Sequence, residues 1–234
     1  MIPHKKRYLI VGTGRSGSSL LCAILANAGA NFDMGTRQSW DRKSGTYEHP
    51  RLHAAFRWLY RPKQLGSKRI TRKHLTALLE NAEFAKSSNL IWLVQRIHQL
   101  EYQPVIIASY RKFEDYCVSR YLRFGWDVSR MVEYYTKIYR TTLLQLAIFG
   151  GCAISYEEMI DPAETDWSLA LSELTGIDHR QLLESRDKLA KKTPSRLKIA
   201  LPVWDERAEA IYDELYRYKG QVIGSKNHQL VLQK

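Results

Sequence analysis

The stretch YLIVGTGRSGSSLLCAILAN, residues 8–27, decides the fold of this chain. Its first four residues form a short apolar run bounded by glycine, which is typical of a buried β-strand. The segment GTGRSGSS (12–19) follows, and an apolar helical pattern then continues to Gly29. A strand, a glycine-rich loop and a helix start in this order predict an anion site, because backbone N–H groups and the helix N-terminus converge on one point.

The side chains of this loop point to the same chemistry. Arg15 supplies a full positive charge, and three serines supply hydroxyl donors. The glycines let the backbone approach a bound oxyanion closely. We therefore expect a phosphate or sulfate group here, held by Arg15 together with Gly14, Ser16, Gly17, Ser18 and Ser19.

Two other nucleotide loops share part of this pattern. Residues 12–17 match the dinucleotide fingerprint G-x-G-x-x-G, and Asp33 lies near the position of a ribose-binding acid. However, residues 30–32 are too short and too polar for the strand that should end at that acid. The loop also has the glycine spacing of G-x-x-x-x-G-K-[ST], but Ser18 stands where its lysine belongs. Metal-assisted triphosphate chemistry is therefore disfavoured, and the rival enzyme is a P-loop nucleotide kinase or a dinucleotide-binding oxidoreductase built on the same loop.

Length and charge limit the classes of function. A chain of 234 residues with 44% hydrophobic residues is long enough for one large domain, so we expect a single domain over residues 1–234. The net charge of +12 favours an anionic ligand or an acidic acceptor. The basic residues are spread along the chain rather than gathered in an arm, so no nucleic-acid partner is expected.

The apolar segments and cysteines indicate the compartment. Arg15 and the glycines interrupt the apolar run that begins at Tyr8, so we reject a signal peptide. No segment approaches the roughly 18 apolar residues of a membrane span. The three cysteines lie in apolar segments without C-x-x-C spacing and indicate buried thiols. We therefore expect a soluble, cytoplasmic protein.

The rest of the chain alternates strands with helices. Residues 105–108 and 152–156 are strand-like, and residues 83–85 form a weaker strand that ends at Lys86. Such alternation predicts an α/β fold, namely a parallel sheet flanked by helices with a P-loop-like nucleotide-binding architecture and a helical C-terminal part. The predicted helices cover residues 48–59, 73–80 (capped by Thr71), 88–100, 112–123, 127–149 (capped by Asp127), two segments of 157–177, 182–190 and 203–218.

Residues that follow the strands are informative, because ligands of open parallel sheets lie beyond the carboxyl ends of the strands. Arg111 follows the strand at 105–108, and Ser119 comes eight positions later, about two helical turns. The two side chains could therefore bind a second phosphate together. The alternative is that Arg111 forms a surface salt bridge with Glu114 or Asp115.

At these residues the chain resembles the 3′-phosphoadenylyl sulfate (PAPS)-dependent sulfotransferases. GTGRSGSSLL (12–21) resembles their 5′-phosphosulfate loop, in the arginine version common among bacterial and carbohydrate sulfotransferases. VIIASYRKFEDYCVSRY (105–121) resembles the 3′-phosphate motif, in which an arginine and a serine stand eight apart, as Arg111 and Ser119 do. YEEMIDP (156–162) resembles the family's Tyr-Glu-Asp-Leu segment. The resemblance covers residues 8–177.

The resemblance implies a metal-independent transfer of a sulfuryl group from PAPS to a hydroxyl or amine, with adenosine 3′,5′-bisphosphate (PAP) as product. The acceptor would be a glycan, a lipid-linked sugar or a small hydroxyl compound. Phe113 departs from the family's usual proline, and no C-terminal Arg-Lys-Gly segment is present. Lys192 or Arg196 could substitute for that segment. The alternative from the binding class is a non-catalytic relative that holds a nucleotide or an acidic glycan.

The general base of the family is a histidine or glutamate between the first two motifs. GTYEHP (45–50) resembles the family's Gly-aromatic-Glu segment, so Glu48 is the first candidate, before His49, His53 and Asp33. The alternative is that Glu48 caps the helix that follows it.

Two further roles stay open at this stage. Lys86 either stabilises the bridging oxygen of the donor or is exposed. A set of aromatic residues either lines the acceptor pocket or belongs to the core, and it consists of Trp126, Tyr134, Tyr135 and Tyr139.

Overall fold

A computed structural model describes residues 5–33, 47–59, 67–190 and 203–224. Within these residues four strands form one parallel sheet in the order β2-β1-β3-β4. The strands are β1 (Lys6–Val11), β2 (Phe84–Lys86), β3 (Gln103–Tyr110) and β4 (Gly151–Ser155). Leu9 of β1 lies between Ala85 of β2 and Ile106 of β3, which sets the register.

The strands are apolar on both sides because both faces of the sheet are covered. Leu9 and Val11 pack into one hydrophobic cluster, while Tyr8 and Ile10 pack into the other. This continuous apolar pattern is characteristic of parallel strands between two layers of helices.

Helices cover the two faces unequally. The face of Tyr8 and Ile10 packs against α1 (Ser18–Asn27), α7 (Tyr156–Ile160), α8 (Asp166–Thr175) and α9 (His179–Ala190). The opposite face packs against α2 (Pro50–Leu59), α3 (Ser67–Leu79), α4 (Val94–His98), α5 (Phe113–Phe124), α6 (Val128–Phe149) and α10 (Glu206–Tyr216). The α/β architecture expected from the sequence is thereby confirmed.

The long helix α6 begins and ends where its sequence signals indicate. The side chain of Asp127 accepts a hydrogen bond of 2.8 Å from the backbone N–H of Arg130, which makes it the N-cap. Gly150 follows the last turn with a positive φ of 79°. In the described part of the chain, no helix combines the length and the apolarity needed to cross a membrane.

Two local predictions were wrong. Thr71 lies inside α3 rather than at its start, and its buried hydroxyl donates to the carbonyl of Ala55 in α2 at 3.5 Å. The single helix expected over residues 88–100 is a 3₁₀ turn, Leu90–Trp92, followed by the short α4. The turn tightens because Leu90 N–H bonds to the carbonyl of Ser87 directly after β2.

The strand order places a switch point between β1 and β3. The chain leaves β1 towards β2 on one side, whereas β3 lies on the other side of β1. At such a point the loops after the two strands diverge and leave a crevice at the carboxyl edge of the sheet. The glycine-rich loop and Arg111 meet at this crevice.

Candidate functional site

The glycine-rich loop needs two of its glycines for close packing. Gly12 has a φ of 149°, and a Cβ there would lie 2.2 Å from the carbonyl oxygen of Ser109. Gly17 has a φ of 87°, and a Cβ there would lie 2.1 Å from the ring of Tyr156. These contacts seat the loop directly against β3 and α7, as only glycine permits.

Arg15 projects from a strained point of the loop. Its φ of 84° is in the left-handed region, a conformation that costs roughly 1–3 kcal/mol for a residue other than glycine. The Nε of Arg15 donates a hydrogen bond of 2.9 Å to the Oγ of Ser119. Two residues from separate motifs, 104 positions apart, thus lie in direct contact.

The loop is held in place by hydrogen bonds within its own backbone and by one from β3. Ser16 N–H donates to the carbonyl of Thr13 at 3.1 Å, and the hydroxyl of Ser109 donates to the carbonyl of Ser16 at 2.9 Å. Ser16 is fully buried. Ser18 and Ser19 belong to the first turn of α1, and Gly17 is its N-cap.

Two tyrosines of α6 fix both motifs from one helix. The hydroxyl of Tyr139 donates to the carbonyl of Ser109 at 2.9 Å and lies 3.1 Å from the hydroxyl of Thr13 in the loop. The hydroxyl of Tyr135 donates to the carbonyl of Arg111 at 2.8 Å. Burial raises the pKa of Tyr139 to about 12, so the hydroxyl keeps its proton. Both rings are core residues, and their hydrogen bonds were not foreseen from the sequence.

Three further arginines lie near Arg15 of the loop. Burial lowers the pKa of Arg15, and the positive charges of Arg123, Arg111 and Arg120 lower it further. Arg111 is 4% exposed and Arg120 is 6% exposed. Sequence reasoning found Arg15 and Arg111 but missed Arg120 and Arg123, although both follow Ser119 closely on α5.

Arg111 is buried at the carboxyl end of β3. Its guanidinium lies over the ring of Tyr156, 4.9 Å from the ring centroid. Its Nη2 is 3.3 Å from Asp115 Oδ2, and its Nε is 3.9 Å from Glu157 Oε1. The pairing with Asp115 that the sequence left as an alternative is therefore present, but in a buried side chain and not at the surface.

Glu48 lies beside Lys86, at the carboxyl end of β2. Its Oε1 is 3.3 Å from Lys86 Nζ, and its Oε2 is 3.5 Å from His53 Nε2. Lys86 Nζ also donates to the hydroxyl of Ser19 at 3.5 Å. Lys86 is only 6% exposed, which excludes the alternative that it is simply exposed.

His49 faces a different neighbour from Glu48. Its Nε2 is 3.8 Å from Asp33 Oδ2, and its Nδ1 accepts a hydrogen bond of 3.1 Å from the backbone N–H of Arg51. Burial lowers the pKa of His49, although Asp33 acts in the opposite direction. The imidazole of His49 therefore accepts the hydrogen bond from a first-turn N–H of α2. The sequence had suggested Glu48 as the alternative cap of this helix.

Several predicted features concern other parts of the chain. Lys192 and Arg196 lie outside the described residues. The thiols of Cys22, Cys117 and Cys152 are free and buried, and burial raises the pKa of each to about 12. Among the described residues, no three His, Cys, Asp or Glu side chains are grouped to hold a metal ion.

Comparison with known proteins gives a structural match. No protein-family model matches the chain, and no curated protein matches it. The fold is similar to that of the sulfotransferase domain from the Synechococcus PCC 7002 olefin synthase, with a TM-score of 0.52. The match covers 90% of this chain and 94% of that domain at 15% sequence identity. At this identity the two chains share a P-loop-like α/β fold.

Proposed function

We propose that this protein is a sulfotransferase that moves a sulfuryl group from PAPS to a hydroxyl or amine of an acceptor. The observation that carries the proposal is the cluster of Arg15 in the glycine-rich loop with three further arginines near it, and the contact of Arg15 with Ser119. Clustered guanidinium groups repel one another unless an anion lies among them. A ligand with several phosphate or sulfate groups fits this requirement.

The two motifs would hold the two ends of the donor. The loop residues Gly14, Arg15, Ser16, Gly17, Ser18 and Ser19 would bind the 5′-phosphosulfate through backbone N–H groups, hydroxyls and one guanidinium. Arg111 and Ser119 would bind the 3′-phosphate. Since Arg15 lies 2.9 Å from Ser119, both ends of one nucleotide fall within reach of the cluster. Lys192 or Arg196 would close over the nucleotide.

The reaction requires charge stabilisation at one oxygen. The bond between sulfur and the bridging phosphate oxygen breaks, the sulfur bonds to the acceptor oxygen or nitrogen, and the negative charge leaves on PAP. Arg15 and Lys86 would stabilise that bridging oxygen with their positive charges. Preorganised donors of this kind typically contribute about 10²–10³-fold each to the rate.

Glu48 is the proposed general base. Its carboxylate contacts Lys86, which in turn reaches Ser19 at the start of α1, so it lies next to the loop that would hold the sulfate. His53 Nε2 is within 3.5 Å of Glu48, but its side chain is 63% exposed. His49 is directed to Asp33. Glu48 would therefore take the proton of the acceptor as the new bond to sulfur forms.

The proposed acceptor and location rest on the net charge of the chain and on its cysteines. The +12 charge favours an acidic acceptor such as a glycan, with a lipid-linked sugar or a small hydroxyl compound as other candidates. Three buried free thiols support a reducing compartment, so we place the protein in the cytoplasm. We also propose that the whole chain forms a single domain.

The test is calorimetric titration with PAP beside AMP, ATP with Mg²⁺, and NAD. Tight binding of PAP alone is expected, because only PAP offers phosphates to both Arg15 and Arg111. Transfer is then measured with PAPS and a panel of glycans, sugar lipids and phenols. Binding of ATP with Mg²⁺ or NAD in place of PAP would overturn the proposal in favour of a kinase or a dinucleotide enzyme. PAP binding without transfer to any acceptor would favour a non-catalytic relative.

A further inference from the structure

Arg120 occupies a cage of aromatic rings. Its guanidinium carbon lies 5.5 Å from the ring centroid of Tyr116, 5.2 Å from Phe124, 4.5 Å from Trp126 and 5.0 Å from Tyr134. We call these four rings the aromatic box. Each contact is a cation–π interaction, which attracts the charge without neutralising it.

Arg120 also has little polar compensation. It is 6% exposed, and its Nε is buried without a hydrogen-bond partner among the described residues. No carboxylate in the described part of the chain forms an ion pair with it, whereas Arg111 has both Asp115 and Glu157 close by. A buried charge in this state is costly. The aromatic box offsets part of this cost, but no carboxylate in the described part of the chain does.

The guanidinium of Arg120 lies against the phosphate-binding loop. A Cβ on Gly14 would lie 2.9 Å from its Nη2, so the group touches the loop backbone directly before Arg15. Arg120 is also the next residue after Ser119, whose hydroxyl accepts from Arg15. Its charge is thus placed at the point where the loop and Ser119 meet.

We propose that Arg120 is a further anion-binding residue of this site, and that the aromatic box holds its guanidinium against Gly14 so that its charge acts on the anion bound by the loop. The ligand chemistry is a phosphate or phosphosulfate oxyanion. This inference rests on the proposed function for the identity of the donor. The bound anion then supplies the negative charge that the surrounding protein lacks.

Two consequences separate this role from a structural one. Replacing Arg120 by a neutral residue of similar length removes a buried charge, so the ligand-free protein should keep or gain thermal stability. The same change should weaken anion binding and reduce its dependence on salt, because one cation no longer takes part.

The experiment compares Arg120→Met with Arg130→Met. Arg130 is the matched control because it lies over the same Trp126 ring at 4.4 Å but is exposed. Both variants lose one positive charge. PAP and inorganic pyrophosphate are titrated into each protein at several salt concentrations, and the melting temperature is measured with and without PAP. Arg120→Lys, which keeps the charge, is the second variant.

Arg120→Met should raise the Kd for both ligands by about tenfold to hundredfold and flatten its salt dependence. Arg130→Met should change the Kd by less than about threefold. Arg120→Lys should bind more tightly than Arg120→Met. If Arg120→Met folds and binds as the wild type does, or if Arg130→Met loses as much affinity, the inference is wrong. If Arg120→Met does not fold, Arg120→Gln replaces it as the charge-removing variant. Weaker binding with a flatter salt dependence in folded Arg120→Gln supports the inference, and wild-type binding overturns it.

The two ligands also separate this inference from the proposed function. Binding of PAP that does not depend on Arg120 would remove the inference and leave the sulfotransferase proposal intact. Binding of pyrophosphate that depends on Arg120, without binding of PAP, would support the anion site and reject the PAPS donor. Absence of binding to both ligands would reject both proposals.

Discussion

Two regions at the carboxyl edge of the sheet differ in how far their positive charges are balanced by carboxylates. The arginine region, formed by Arg15, Arg111, Arg120 and Arg123, has more cations than carboxylates, with Asp115 and Glu157 near Arg111 alone. The Glu48 region, formed by Glu48, Lys86 and His53, pairs its cation with a carboxylate at 3.3 Å. Ser19 in α1 lies next to the second region, and Arg15 of the same loop lies in the first.

The difference indicates that the two regions have separate roles. An excess of cations over carboxylates favours an anionic ligand, since the ligand supplies the missing negative charge. Glu48 lies beside Lys86, whose positive charge offsets that of the carboxylate near an anion. Substitutions in the arginine region should therefore change donor affinity, and substitutions in the Glu48 region should change turnover.

The largest expected effect is that of Glu48→Gln. The amide cannot accept the acceptor's proton, so kcat should fall by about 10²–10⁴-fold. PAP affinity should stay the same or rise slightly, because a negative charge near the donor is removed. Steady-state kinetics with PAPS and calorimetry with PAP measure the two quantities. The controls are His53→Asn and His49→Gln, and a larger loss of kcat in either one would move the base to that histidine.

Arg111→Met should have the next largest effect. Loss of a charged donor to the 3′-phosphate should weaken PAP binding by about 100-fold, which corresponds to roughly 2–3 kcal/mol. AMP lacks that phosphate, so its affinity should hardly change. The preference of the protein for PAP over AMP should therefore fall by about the same factor as the affinity for PAP. Competitive calorimetry measures both. An equal loss for AMP would mean that Arg111 acts on the loop and not on the 3′-phosphate.

Tyr139→Phe should have a smaller effect, which acts through the glycine-rich loop. The ring is kept, but the hydrogen bonds to Ser109 and Thr13 are lost, at a cost of about 1–3 kcal/mol in the free energy of unfolding. PAP affinity should fall by about tenfold or less, because the loop is held less firmly. The matched control is Tyr110→Phe, since the Tyr110 hydroxyl is buried without a hydrogen-bond partner among the described residues. Urea denaturation should show no loss of stability for that control.

The smallest effect concerns His49 and pH. Its pKa is lowered in the folded protein, mainly by burial, so below pH about 6.5 the unfolded chain binds more protons at this site than the folded one. This histidine should therefore remove stability as the pH falls from about 6.5 through its folded pKa. His49→Gln should lose less stability than the wild type between pH 8 and pH 5.5. Urea midpoints at the two pH values measure this, and an unchanged difference would contradict the assignment.

The sequence predicted the fold and the first motif because their signals are local. An apolar run before a glycine-rich loop marks β1, and the same logic located β3, β4 and the short β2 at Lys86. The boundary of α3 was missed because Thr71 looks like a cap, yet its hydroxyl bonds to the carbonyl of Ala55 in another helix. Capping patterns carry no information about such contacts between helices.

The residues of the candidate site also fall into those that the sequence predicted and those that it did not. The spacing of Arg111 and Ser119 was visible in one segment, whereas the role of Tyr135 and Tyr139 was not. Aromatic residues four apart on a helix suggest packing, and only the fold brings their hydroxyls to Arg111 and Ser109. Arg120 and Arg123 were missed because single arginines on a helix are ordinarily solvated.

The sequence alone therefore determined the order of strands and helices along the chain and the position of the glycine-rich loop, because periodicity and glycine spacing act over a few residues. Only the tertiary structure decided which charges share the crevice. Arg15 meets Ser119 across 104 positions, and Lys86 meets Glu48 across 38. Parallel pairing of β1 with β2 and β3 brings the carboxyl ends of these strands to one edge, and there separate segments combine into one site.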